Sequence, residues 1–96
     1  MPAYLYATLE VSDPGAYEEY RLQVPALIAA HGGRYLVRGG ATEVLEGDVQ
    51  PLRQVILEFA DMAGLKAVYN SPADQTLVAV RKGATRGGHL LAIQGV

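Results

Sequence analysis

The chain contains no cysteine. This excludes disulfides, thiolate metal sites and a cysteine nucleophile, and it fits a reducing compartment, so the cytoplasm is the expected location. Basic excess is also missing, because eight Lys and Arg stand against ten Asp and Glu for a formal net charge of -2. The basic residues are scattered and leave no footprint for a phosphate backbone, which argues against nucleic acid as a partner. No run approaches the roughly 18 apolar residues of a membrane span. The opening Met-Pro-Ala-Tyr-Leu-Tyr enters a strand pattern with no basic region ahead of an apolar segment, so no membrane association is expected. Histidine is sparse: His31 and His89 are far apart and lack neighbouring ligands, so no metal site is expected. Gly32-Gly33 and Gly39-Gly40 lack the spacing of a phosphate loop or dinucleotide fingerprint, and Ser12 and Ser71 lack a nucleophile elbow. No motif for a cofactor remains, and none is expected.

What the chain does have is apolar residues. Half of its 96 residues are hydrophobic, a high share for a chain that buries only roughly 60–65% of its unfolded surface. Residues 1–96 read as one domain without linker, repeat or low-complexity tract, and the apolar excess points to self-association.

Residues 3–11 alternate as a strand, with Ala3, Leu5, Ala7, Leu9 and Val11 on one face and Tyr4, Tyr6, Thr8 and Glu10 on the other. Asp13 and Pro14 supply a cap and first turn for a helix whose stripe is Tyr17, Tyr20, Val24, Leu27, Ile28 and His31. Pro25 removes a backbone donor inside that helix and predicts a kink or split near residues 21–25. Gly32-Gly33 ends it, one glycine taking the left-handed conformation. A second strand over 34–38 is expected to bend at Gly39-Gly40 and resume through Thr42 to Glu46, with Gly47-Asp48 and Pro51 marking the turn. Arg53 to Phe59 forms a third strand, in which Val55, Leu57 and Phe59 alternate with Gln54, Ile56 and Glu58. Asp61 caps a second helix with Met62, Leu65, Val68 and Tyr69 inward; Asn70-Ser71-Pro72 breaks it and restarts a short helix to about Lys82. Gly83 to Gly88 reads as a return loop and His89 to Gln94 as the last strand. The order βαββαβ predicts an α+β, ferredoxin-like fold: a four-stranded antiparallel sheet with the helices on one face.

The uncovered sheet face then carries Tyr4, Tyr6 and Thr8, with Arg34, Leu36 and Arg38 or their neighbours, and Gln54, Ile56 and Glu58. Such apolar bodies with polar tips suit an interface, and a homodimer packed sheet to sheet is expected.

The segments Val11-Ser-Asp-Pro14, Tyr17-x-x-Tyr20, His31-Gly-Gly-Arg-Tyr-Leu-Val-Arg-Gly-Gly40, Leu45-Glu-Gly47 and Tyr69-Asn-Ser-Pro72 cover nearly the whole chain. In this order and spacing they resemble the uncharacterised bacterial "domain of unknown function 1330" family. The resemblance implies a dimeric α+β barrel, in which two ferredoxin-like sheets pack face to face and each helix-and-sheet unit has room for a small molecule. Relatives in that superfamily include cofactor-independent monooxygenases, lactone isomerases and haem enzymes, so kinship carries architecture and not chemistry. One departure stands out: where many family members place an aromatic residue before the Gln, this chain has Ala73-Asp74-Gln75. A pocket wall formed by that ring is absent or altered here.

Among candidate site residues, His31 ends a helix, and histidine suits a general base because the residue type ionises near neutrality; the helix dipole and the free carbonyls of the last turn explain it better. Arg38, mid-strand, requires either a carboxylate such as Glu58 or an anionic ligand. Asn70 and Arg81 can line an opening between helix and sheet, beside Tyr6 as an orienting phenol, although helix termination also accounts for Asn70. Three functions remain open: a homodimer binding a small oxygenated or carboxylated organic molecule between sheet and helices, a cofactor-independent oxygenase or isomerase using His31 and Arg38, and a structural or regulatory dimer without ligand.

Overall fold

The computed structural model describes residues 1–50 and 52–96; Pro51, expected to mark a turn, lies outside the described residues. The elements are β1 (Ala3–Val11), α1 (Pro14–Ala30), β2 (Arg34–Arg38), β3 (Arg53–Phe59), α2 (Met62–Tyr69), α3 (Pro72–Ala84) and β4 (Thr85–Gln94). The sheet order is β2-β3-β1-β4 with every neighbouring pair antiparallel, the ferredoxin-like arrangement that the alternation of strands and helices predicts. Among the described residues no helix is long and apolar enough to cross a membrane.

Side-chain alternation decides which sheet face the helices cover. Ala3, Leu57 and Phe59 pack against Val24 and Ile28 of α1, Leu65 and Val68 of α2 and Leu77 of α3. A second cluster joins Ala7 and Leu9 to Tyr17 and Ala84. The helices are capped as their sequences dictate: Asp13, Asp61 and Ser71 each accept a hydrogen bond from a backbone N–H three residues on, satisfying a donor left over by the first turn. The N–H groups of Ser12 and Asp13 both donate to the Ala84 carbonyl, at 2.8 and 3.0 Å, which sets the end of α3 beside the start of α1.

Four local expectations are corrected. The first concerns Pro25, which does not split α1: the helix runs unbroken over 17 residues. Proline leaves the carbonyl four residues earlier without its usual partner. That carbonyl belongs to Arg21, and Arg38 Nη2 donates to it at 3.0 Å. The strand arginine thus supplies the donor that the helix lacks.

The second concerns β2. Its pairing slips between Tyr35↔Leu57 and Val37↔Ile56, so one extra residue enters β2 and the face presented changes along the strand. Arg34 stays on the uncovered face opposite Glu58, whereas Arg38 pairs with Val55 and turns to the helix side. An Arg38–Glu58 ion pair is therefore not formed.

The third is the expected continuation of β2 through residues 42–46, which have no regular structure. β3 begins only at Arg53 and its pairing with β2 ends at Arg38↔Val55, so these residues have no strand to join. They are exposed, Leu45 by 86%.

The fourth is the Gly83–Gly88 loop. Helix α3 continues to Ala84 and β4 starts at Thr85, already paired with Val11. The register shift between Thr8↔His89 and Glu10↔Arg86 places Gly87 and Gly88 opposite Leu9 alone, a bulge in which both take positive φ (63° and 79°). Only a glycine fits at 88, since a Cβ there would overlap the Thr8 carbonyl.

Candidate functional site

Between the helices and the sheet lies a narrow, partly enclosed cavity of about 50 Å³. Leu5, Val24, Leu57, Phe59, Leu65 and Val68 give it apolar walls. Into these walls four arginines are set, Arg21, Arg38, Arg53 and Arg81, against a single carboxylate, Asp74.

Strand geometry brings two of the arginines together. Arg53 opens β3 on the same face as Val55, Leu57 and Phe59, and the bulge in β2 turns Arg38 to that side. Arg53 Nε donates to the Tyr17 hydroxyl at 3.0 Å, and its guanidinium carbon sits 5.4 Å from the centroid of the Tyr17 ring. Arg38 lies in the same way over Tyr35, at 4.7 Å. Gly39, at φ +69°, lets the Arg53 guanidinium pass where any Cβ would overlap it. These contacts fix both guanidinium groups without neutralising them. Arg21 is different, since Glu18 pairs with it through Nε at 2.8 Å and its hydrogen bond holds the Glu18 carboxyl below the usual range. Among the described residues the ion pairs are Arg21–Glu18, Arg34–Glu58 and Arg86–Glu10, so Arg38, Arg53 and Arg81 have no carboxylate partner.

Tyrosines fill the space around the cations. Burial pushes the Tyr20 phenol up to about 12, against the pull of Arg81, so it stands as a neutral donor at ordinary pH. Tyr35 is raised by burial as well. Asp74 is 7% exposed; burial raises its pKa, while Arg81 and His31 act in the opposite direction.

The residues singled out from sequence are dispersed. Arg38 and Arg81 line the cavity. Tyr6 does not: it belongs to the opposite sheet face, where its hydroxyl donates to Gln54 Oε1 and its ring meets His89 edge-on at 6.3 Å. Glu58 is on that same face, bound to Arg34 at 2.7 Å. Asn70 is exposed at the end of α2, its N–H donating to Lys66 at 2.9 Å. His31 is exposed and does not line the cavity. The helical stripe that pointed it inward stops at Ala30; at φ -107° and ψ 16° His31 has left the helix, and its Nδ1 donates to the Leu27 carbonyl at 3.0 Å.

The residues missed were Arg53, Asp74 and the tyrosines at 17, 20 and 35. Strand alternation already put Arg53 in line with Val55, and helical spacing put Asp74 in line with Leu77, Val78 and Arg81. Both signals were present.

The fold and this cavity define a ferredoxin-like α+β protein with an arginine-rich pocket under its helices. The chain belongs to the family described as Domain of unknown function (DUF1330), which it matches over residues 2–96. Among solved structures it is similar to the RPA0582 protein of unknown function from Rhodopseudomonas palustris, at 18% identity and a TM-score of 0.78, over 99% of this chain and 82% of that one. It is also similar to a dimeric ferredoxin-like protein of unknown function from Jannaschia sp. CCS1, at 19% identity and a TM-score of 0.73, over 99% and 100% of the two chains. A third is SnoaB, a cofactor-independent oxygenase from Streptomyces nogalater, at 9% identity and a TM-score of 0.65, over 99% and 93%. At such identities the likeness establishes the fold alone. No curated protein matches the chain.

Proposed function

We propose that this protein, as one cytoplasmic domain, forms a homodimer and binds a small carboxylated organic molecule in the cavity between sheet and helices. The observation that carries the reading is Arg38 and Arg53: two guanidinium groups held in place by aromatic rings, a hydroxyl and a carbonyl, facing an apolar space, with no carboxylate partner. Arg38 is exposed at the edge of the cavity and Arg53 is half-buried, which leaves both open to a ligand, and a carboxylate matches a guanidinium with two hydrogen bonds. The cavity under the helices supports a ligand over a dimer with a filled core. The dimer is supported by the uncovered face, where Leu36, Leu91 and Ile93 are each nearly half exposed beside Tyr4, Tyr6 and Ile56, and by the dimeric relative from Jannaschia. The absence of cysteine supports the location.

The oxygenase or isomerase reading gains a fold-level parallel in SnoaB. Its proposed base, His31, has no support in the geometry, because the imidazole stands outside the cavity lining.

A thermal-shift and calorimetric screen with small carboxylates tests the proposal. A ligand present at 100 times its dissociation constant should stabilise the fold by about 2.7 kcal/mol. Arg38→Met should weaken the same ligand about tenfold or more, the value of a charge-assisted hydrogen bond. If no carboxylate shifts the transition, or if Arg38→Met binds as the parent does, the cavity does not serve this purpose.

A further inference from the structure

The cavity has two electrically distinct ends. Ala84 is tied to Ser12 and Asp13, so α3 runs antiparallel to α1 and carries Arg81 to the end where Tyr17 and Tyr20 stand. Arg38 and Arg53 reach the cavity at Tyr35 and Tyr17, adding to the positive charge there. Asp74 is seven residues before Arg81, two helical turns or about 10 Å back along the same face of α3, toward the His31 end of α1.

Both α3 side chains are more than nine-tenths buried, Asp74 at 7% and Arg81 at 9% exposure. Neither forms an ion pair with a described residue, and the Asp74 carboxylate accepts no hydrogen bond from one; the backbone N–H of Asp74 donates to Ser71 Oγ at 3.2 Å. Among the described residues no fully buried side-chain oxygen or nitrogen lacks a partner, so the Asp74 carboxylate meets water where it lines the cavity. Asp74 stands in the first turn of α3, where the helix dipole favours a carboxylate, while the cap itself is made by Ser71.

We infer that Asp74 is a second recognition point in the cavity, accepting a hydrogen bond from a hydroxyl or amino group at the far end of a ligand whose carboxylate is held by Arg38 and Arg53. The ligand class is therefore the hydroxy- or aminocarboxylates with the two groups separated by a short apolar span, matched to the Leu, Val and Phe walls between the poles. This rests on the carboxylate-binding reading and refines it. Burial raises the pKa of Asp74, against the pull of Arg81 and His31.

The test compares matched probes by calorimetry: straight-chain carboxylates from butyrate to octanoate, their ω-hydroxy and ω-amino derivatives, and benzoate beside para-hydroxybenzoate. For at least one length the derivative should bind about tenfold or more tightly than its parent, the ratio that a hydrogen bond to a charged group supports. Asp74→Leu should abolish that preference, or reverse it, while keeping the parent carboxylate, a crossover that a folding defect does not produce. Arg38→Met should weaken derivative and parent alike. If derivatives and parents bind the wild-type protein equally, the role of Asp74 is refuted and the carboxylate site stands; the wild-type series alone decides this, whatever the fate of the variant. If none of the probes binds, the carboxylate reading falls and this inference with it.

Discussion

The two faces of the sheet treat polar groups in opposite ways. On the uncovered face nearly every polar side chain has a partner from the same face: Arg34 with Glu58, Arg86 with Glu10, and Tyr6, Gln54 and Thr8 in one chain of hydrogen bonds. Its apolar groups are what remains unsatisfied. On the covered face the apolar groups are packed, and the charges at the cavity, Arg38 at its exposed edge with Arg53, Arg81 and Asp74, have no ion-pair partner among the described residues. A surface whose leftover is apolar is completed by another surface, whereas a cavity whose leftover is charge is completed by a small polar molecule.

The comparison breaks most sharply on the uncovered face. Tyr6 lies near its middle, flanked by Ile56 and Leu91 across the two neighbouring strands. Tyr6→Glu would place an unpaired carboxylate inside the proposed dimer, a cost of about 3 kcal/mol or more, on the order of a hundredfold in the dimer dissociation constant. Sedimentation should show monomers at concentrations where the parent is dimeric, with carboxylate binding retained because the cavity is on the other side. A parent protein that stays monomeric at high concentration, or a variant that dimerises as well as the parent, removes the assignment of this face.

How legible this division was depends on what sets each residue's direction. The alternation of Ala3 to Val11 and of Val55 to Phe59 follows from a period of two, and the caps at Asp13, Asp61 and Ser71 follow from short polar side chains ahead of apolar stripes. These local rules carried the fold. The site turned on non-local matters. Arg38 faces the cavity because a bulge after Tyr35 shifts the pairing with β3, and no residue of the Tyr-Leu-Val run signals an inserted position by its type. The carbonyl it serves is freed by Pro25, distant in sequence, so the proline read as a break is half of a contact whose other half is on β2. Gly87-Gly88 reads as a loop because bulges and loops draw on the same permissive residue. In the sequence Asp74 reads only as the absence of a ring; its burial appears once the helices pack on the sheet.

A smaller effect separates the carboxylates of the two faces. Burial raises the Asp74 pKa in the folded chain, so whatever stability Asp74 contributes is fully present below its unfolded value and is lost as pH rises through the folded one. Asp74→Asn has no charge to bury. In the free protein it should melt above the parent near about pH 7, by about 4 °C if relieving the charge is worth about 1 kcal/mol, with the gap closing toward about pH 4. Its neighbours Arg81 and His31 favour the ionised form and limit the gain. Glu58→Gln should have the opposite sign, a loss at neutral pH, because Glu58 has Arg34. Scanning calorimetry against pH decides between them; an Asp74→Asn variant that is less stable than the parent at neutral pH would mean that the carboxylate is satisfied where it lies.

The smallest effect tests the register itself. Arg34 and Glu58 are opposite one another on the uncovered face, but Arg34 is 70% exposed, so solvent screens the pair and its coupling should stay below about 1 kcal/mol. Arg38 and Glu58 project from opposite sides of the sheet, which leaves them without a shared partner. Double-mutant cycles with Glu58→Gln should therefore give a small favourable coupling to Arg34→Met and losses additive to within about 0.3–0.5 kcal/mol with Arg38→Met. Measured by denaturant unfolding, the reverse pattern, coupling to Arg38 and none to Arg34, would show that β2 pairs with β3 in a different register. Arg38 would then leave the cavity, and the carboxylate site would lose one of its two anchors together with the contrast between the faces.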